Sequence, residues 1–170
     1  DHIYNIKKPE ERFVLSNGHA ALALYVVLEK YGMEIPEDFM VHPDRLLMSE
    51  VDCSTGSLGQ GLPIAVGMAM SDRSKNVYCL ISDGECAEGS IWEALRIAEG
   101  LKLWNLKVFM VANGLGAYRD IDSNQLREMI EAVGFPVCII EVDTDLPFAK
   151  GLSAHYKVMN EDDYREITEA

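Results

Sequence analysis

The stretch that decides the fold reads Val77-Tyr78-Cys79-Leu80-Ile81-Ser82-Asp83-Gly84-Glu85-Cys86-Ala87-Glu88-Gly89-Ser90-Ile91-Trp92-Glu93-Ala94, and it closes on Leu106-Lys107-Val108-Phe109-Met110-Val111-Ala112-Asn113-Gly114-Leu115. Val77 to Ile81 is short, apolar and rich in strand formers. After the Asp-Gly turn, Ile91, Ala94, Leu95, Ala98 and Leu101 recur at helical spacing between Glu88 and Lys102. Leu106 to Ala112 reads as a second buried strand, stopped by Asn113-Gly114. This is a β-α-β unit. Strands joined in this way lie parallel, so Asp83 and Asn113 are expected together at the carboxyl edge of one sheet, where open α/β sheets bind ligands. A carboxylate and an amide oxygen meeting beside a helix start suit a Mg²⁺ ion (or Ca²⁺ or Mn²⁺) that holds a diphosphate.

The rest of the chain extends the same pattern. Arg12 to Ser16 reads as a short strand, followed through Asn17-Gly18 by a helix from about His19 to Tyr31. That helix is apolar nearly all round and is expected to be buried. Gly56, Gly59 and Gly61 allow close backbone approach to a ligand, and a helix starts near Leu62 with Pro63 in its first turn. Ser123 to Val133 is an amphipathic helix with Asp122 or Ser123 as N-cap and Gly134 as its stop, and Val137 to Val142 is the next strand. Asp1 to Glu11 reads as a polar entry segment, and a polar helix starts at Asn160. The alternation predicts an α/β fold, a three-layer sandwich around a mainly parallel sheet.

Composition bounds the function. The 170 residues suffice for one domain with a core, and the net charge is −13. A basic face for nucleic acid or for an anionic membrane is therefore not expected. No twenty-residue apolar span is present. The four cysteines form no C-x-x-C pair, which argues against zinc and suits a reducing cytoplasm. Cys79 and Cys138 fall in apolar strands and are expected in the core, whereas Cys86 near a helix start is the thiol to check for reactivity.

At three places the sequence resembles the thiamine diphosphate enzymes, and within them the transketolases. These are Arg12-Phe13-Val14-Leu15-Ser16-Asn17-Gly18-His19-Ala20-Ala21, Ser54-Thr55-Gly56-Ser57-Leu58-Gly59-Gln60-Gly61, and Asp83-Gly84-Glu85 with Glu88-Gly89-Ser90-Ile91-Trp92-Glu93-Ala94 and Asn113-Gly114-Leu115. Ser82 replaces the first glycine of the family's Gly-Asp-Gly, Asn17 stands where lysine is usual, and Ala154-His155-Tyr156-Lys157-Val158 resembles the family's Trp-His block. The resemblance implies that Asp83, Asn113 and the Leu115 carbonyl bind Mg²⁺. It implies cofactor contacts from His19, Gly56, Ser57, Leu58, Gly84, Glu85 and Asn113. It places His19, His42 and His155 as catalytic candidates toward a sugar phosphate, and Glu88 at a subunit interface.

Each of these residues has a plainer reading as well. His19 can be a polar cap, His42 an exposed loop histidine, and Glu88 an acid favoured by a helix dipole. Beyond Asp143 the family's Gly-His-Asp turn, helix and strand are missing, and the chain is expected to be one diphosphate-binding domain over residues 1–170, trimmed there and at the N-terminus. The implied activity is transfer of a two-carbon ketol unit from a ketose to an aldose. The activating glutamate would come from a pyrimidine-binding-domain partner in a homo- or hetero-oligomer. The alternative is a cofactor-binding, non-catalytic or regulatory module of the same fold.

Overall fold

A computed structural model describes every residue except Pro36, Asp38, Phe39, Ala117, Tyr118, Tyr156 and Ala170, together with the side chain of His155. Four strands form one sheet in the order β1 (Arg12–Leu15), β2 (Val77–Ser82), β3 (Leu106–Ala112) and β4 (Val137–Glu141). All three pairings are parallel, with Leu15 opposite Leu80, Ser82 opposite Val111 and Ala112 opposite Glu141. The strand ends that follow Leu15, Ser82 and Ala112 therefore share one edge.

Side chains alternate across the pleat and build a core on each face. Val14, Cys79, Ile81, Val108 and Met110 point to one face, where α3 (Gly61–Ser71), α4 (Gly89–Gly100) and α5 (Ser123–Val133) cover them with Leu62, Ala65, Ile91, Leu95, Leu126 and Ile130. Phe13, Leu15 and Tyr78 point to the other face, against α1 (His2–Ile6) and α2 (Ala21–Lys30). This is the three-layer α/β sandwich with a parallel sheet. The caps follow from sequence too. The Asp122 carboxylate accepts from the Asn124 and Gln125 N–H groups at the start of α5, and Gly134 ends that helix at φ +85°.

The structure corrects several expectations. Asp1–Glu11 is not merely a polar entry, because it carries α1, whose Ile3 is buried. The second helix starts later than expected: Gly18–Ala20 is a single 3₁₀ turn, and α2 follows it. α2 is not buried all round, since only one side meets the sheet; Leu22 is 61% exposed and Val26 59%. Cys138 is exposed rather than core. It lies on the edge strand β4 opposite Phe109, and it is not part of the core cluster that α1 and α2 build on that face. Beyond β4 come a short helix, α6 (Leu152–His155), and α7 (Glu161–Thr168), the latter closed by an Asn160–Asp163 capping box.

Candidate functional site

Three strand ends and one glycine-rich turn enclose a cavity of about 540 Å³. β1 contributes Asn17 and His19, the turn before α3 contributes Leu58, β2 contributes Ser82, Asp83 and Gly84, and β3 runs into Asn113, Leu115 and Gly116. Leu152 of α6 lies across it. A neighbouring cavity of about 520 Å³ shares Asp83 and Gly116 and opens toward Trp92, Arg119 and Met129.

Asp83 is only 2% exposed and is held entirely by backbone. Its Oδ1 accepts from the Gly84 N–H at 2.9 Å, and its Oδ2 accepts from the Asn113 N–H at 2.9 Å and the Gly114 N–H at 2.8 Å. A carboxylate offers about four lone-pair sites. Three are used to lock it, so one remains on Oδ1. The Asn113 Oδ1 accepts from the Leu115 N–H at 3.0 Å, which likewise leaves it one lone pair. Two fixed oxygens with one open lone pair each fit a hard cation that takes its remaining ligands elsewhere. Among the described residues no group of three His, Cys, Asp or Glu side chains forms a metal cage. A cation here would need an anionic ligand to complete its shell, and the donor set fits a metal shared with a diphosphate.

Glu85 was expected to touch the cofactor, but its side chain turns inward. It is fully buried; its Oε1 accepts from Ser16 Oγ at 2.6 Å and from the Gly59 N–H at 2.8 Å, and its Oε2 accepts from the Ser82 N–H at 3.0 Å. One carboxylate thus joins the end of β1, the glycine-rich turn and the end of β2. Ser16 Oγ also accepts from the Gly61 N–H at 3.1 Å. Gly59 sits at φ +76°, and a Cβ there would lie 2.5 Å from Ser90 Oγ and 2.7 Å from the Cβ of Glu88. The turn therefore requires glycine at this point.

The remaining expected residues divide. His19, Leu58, Gly84, Asn113, Asp83 and Leu115 all line the one cavity. Gly56 and Ser57 are exposed on the turn beside it. His42 is exposed, its ring lies over Gly56, and its carbonyl accepts from Tyr25 Oη at 3.1 Å; it is not part of the cavity lining. Glu88 precedes α4 without a side-chain cap bond and packs on Gly59. His155 ends α6, and its side chain lies outside the described residues. Cys86 is not an activated thiol: burial, with the nearby Asp83 and Glu85 carboxylates, pushes it up to about 12. Sequence reasoning missed Asn17 and Leu152. A polar residue wedged between a buried strand and a helix start was the available signal for Asn17.

Residues 6–147 match the family described as transketolase, thiamine diphosphate binding domain. The chain belongs to this family. Curated relatives match the chain over part of their length. "Ferredoxin fas2" of Rhodococcoides fascians is 42% identical over 119 residues, 61% of this chain and 39% of that protein. Human transketolase is 43% identical over 121 residues, 62% of this chain and 19% of that protein. The chain thus spans well under half the length of the curated relatives it matches. The solved transketolase from Leishmania mexicana superposes with a TM-score of 0.64 at 23% identity, covering 78% of this chain and 28% of that one, which supports the fold.

Proposed function

We propose that this transketolase-family domain holds the diphosphate end of thiamine diphosphate through a divalent cation, and serves two-carbon ketol transfer between sugar phosphates. The observation that carries the reading is the pairing of Asp83 and Asn113 on adjacent strand ends, each locked by backbone N–H groups and each with one oxygen lone pair open. In this reading Asp83, Asn113 and the Leu115 carbonyl hold Mg²⁺. Gly56, Ser57, Leu58, Gly84 and the backbone of Glu85 border the cofactor. Thiamine diphosphate, when bound, supplies the carbon nucleophile that takes up and passes on the two-carbon unit. The protein's own part is to place the substrate and to manage protons. His19, which lines the cavity, would hold or move a proton at a substrate hydroxyl. His42 and His155 are the further candidates for that task. The cofactor's pyrimidine end would be activated by a domain supplied from outside these residues, by a partner subunit, and Glu88 on the α4 entry would face that partner. A non-catalytic cofactor-binding module is the reading that remains if the partner adds no turnover.

The test is calorimetry with thiamine diphosphate and Mg²⁺. Asp83→Ala would also orphan three buried N–H groups, so Asp83→Asn is the cleaner variant. We expect it to stay folded and to weaken Mg²⁺-dependent thiamine diphosphate binding by about a hundredfold or more, because an anionic ligand to a hard cation is lost. Unchanged affinity in folded Asp83→Asn protein would sink the metal assignment.

A further inference from the structure

The glycine-rich turn before α3 is held from two sides. The Gln60 N–H donates to the Ser57 carbonyl at 3.2 Å, and Gly59 sits at φ +76° while Leu58 keeps a negative φ. Ser57 to Gln60 is therefore a type II turn with Gly59 in its third place. Leu58, in the second place, lines the cavity. The peptide that joins Leu58 to Gly59 is fixed by Glu85, whose Oε1 accepts from the Gly59 N–H at 2.8 Å. The next peptide is fixed by Ser90, whose Oγ donates to the Gly59 carbonyl at 2.9 Å.

That carbonyl depends on Ser90. Gly59 is buried and lies one residue before Gln60, the cap of α3. Pro63, four residues on, has no N–H to offer it. Among the described residues no backbone N–H reaches the Gly59 oxygen. Ser90 stands in the first turn of α4, yet its hydroxyl leaves its own helix and crosses to the turn. The approach is close, since a Cβ on Gly59 would lie 2.5 Å from Ser90 Oγ.

The walls of the cavity differ in chemistry. Asp83 and Asn113 bring oxygens, which suit a cation and its diphosphate, whereas Leu58 is apolar and suits the organic ring of the cofactor. We infer that Ser90 is a positioning residue: through the Gly59 carbonyl it fixes Leu58 against the ring portion of thiamine diphosphate, and it has no part in holding the diphosphate. The inference rests on the cofactor reading proposed above. Glycine has wide conformational freedom, so a turn built on it keeps one shape only when the peptides on both sides are tied. With the Gly59 carbonyl released, binding must also order the turn, and affinity falls by that cost.

Calorimetry on the chain compares two probes, thiamine diphosphate with Mg²⁺ and inorganic pyrophosphate with Mg²⁺. We expect Ser90→Ala to weaken thiamine diphosphate binding about tenfold and to leave pyrophosphate binding within about twofold. Ser90→Thr keeps the donor and should match wild type within about threefold for both probes. In the cofactor-free protein, the Gly59 and Gln60 amides should exchange faster in Ser90→Ala than in wild type. Should Ser90→Ala not fold, Ser90→Cys, with only a weak donor, carries the same comparison. Equal losses for the two probes would make Ser90 a general support of the fold and would overturn the inference. So would full thiamine diphosphate affinity in Ser90→Ala, a loss in Ser90→Thr equal to that in Ser90→Ala, or unchanged amide exchange. Thiamine diphosphate binding by the wild type tests the cofactor reading by itself, so the two can fail separately.

Discussion

Asp83 shows how much a single residue's setting adds to its identity. That an Asp follows β2 was plain from the sequence, and so was the Asn after β3. That Oδ2 of Asp83 is pinned by the Asn113–Gly114 turn could not be read there, because the contact spans two strands. Glu11 is a second carboxylate of this kind, and it has nothing to do with the cavity. It is 5% exposed and accepts from the Lys8 N–H, from Asn76 Nδ2 and from Tyr78 Oη. Burial alone would raise its pKa, but the bonds from Lys8, Asn76 and Tyr78 outweigh it and hold the carboxyl below the usual range. A depressed carboxylate stabilises the fold fully above its unfolded value, and that contribution is lost as pH falls through the folded value. Wild-type stability should therefore decline more steeply below about pH 4.5 than that of Glu11→Gln. At neutral pH, Glu11→Gln should cost about 1–3 kcal/mol by leaving donors unpaired. Urea midpoints across pH, measured on both proteins, check the sign. The cysteines give another contrast at this scale. Cys79 is buried with its pKa raised, Cys86 is pushed up to about 12, and Cys138 is exposed, so a thiol reagent at neutral pH should label Cys138 first. Peptide mapping after brief labelling decides it, and early modification of Cys86 would contradict the assignment.

At the scale of elements, the β2–α4–β3 unit was legible because two apolar runs bracket a helix-period segment and each run ends in a turn signal. The bounds of β3 and α5 match the expected ones, and the Asp122 cap and Gly134 stop explain why α5 is so well defined. α1 was not legible, since five residues with two apolar positions carry too little periodicity. Nor was the inward turn of Glu85. In sequence it sits in the most family-like string, yet its three bonds reach residues 69, 26 and 3 positions away. Glu85 is the brace that sets three pieces of the cavity wall against each other. Gln in its place keeps the shape but presents an N–H₂ to one set of donors. We expect Glu85→Gln to cost about 1–3 kcal/mol of stability. Thiamine diphosphate affinity should fall with it, because the Gly59 turn and the β2 end lose their common anchor. A denaturant titration paired with calorimetry checks both, and a variant of full stability and full affinity would show that the brace is dispensable.

At the scale of the whole molecule, the described residues gather the candidate site on an open edge of the sheet. The candidates for the metal, the diphosphate and one substrate histidine converge there. Apolar surface is left uncovered, with Leu22 and Val26 on α2 and Ile140 at 42% exposure on β4. Exposed apolar surface of this kind favours association. The sequence pointed to a parallel α/β sandwich but not to this bare face, because a β-strand's alternation does not tell which of its faces a helix will cover. The site and the surface together lead to one expectation. The chain with thiamine diphosphate and Mg²⁺ should bind cofactor yet turn over no ketose: in the proposed reading Asp83 serves as the cation's ligand, and Glu85 is committed to Ser16, Gly59 and Ser82. Adding a pyrimidine-domain partner should bring two-carbon transfer. By linkage it should also tighten thiamine diphosphate binding, since a partner that prefers the bound form must raise the affinity of what it prefers. The measurement is a ketose-to-aldose transfer assay and a cofactor titration, each with and without co-expressed partner, alongside sedimentation to follow assembly. Robust turnover by the chain as a single species would overturn the expectation and would require an acid of this chain to take the partner's role.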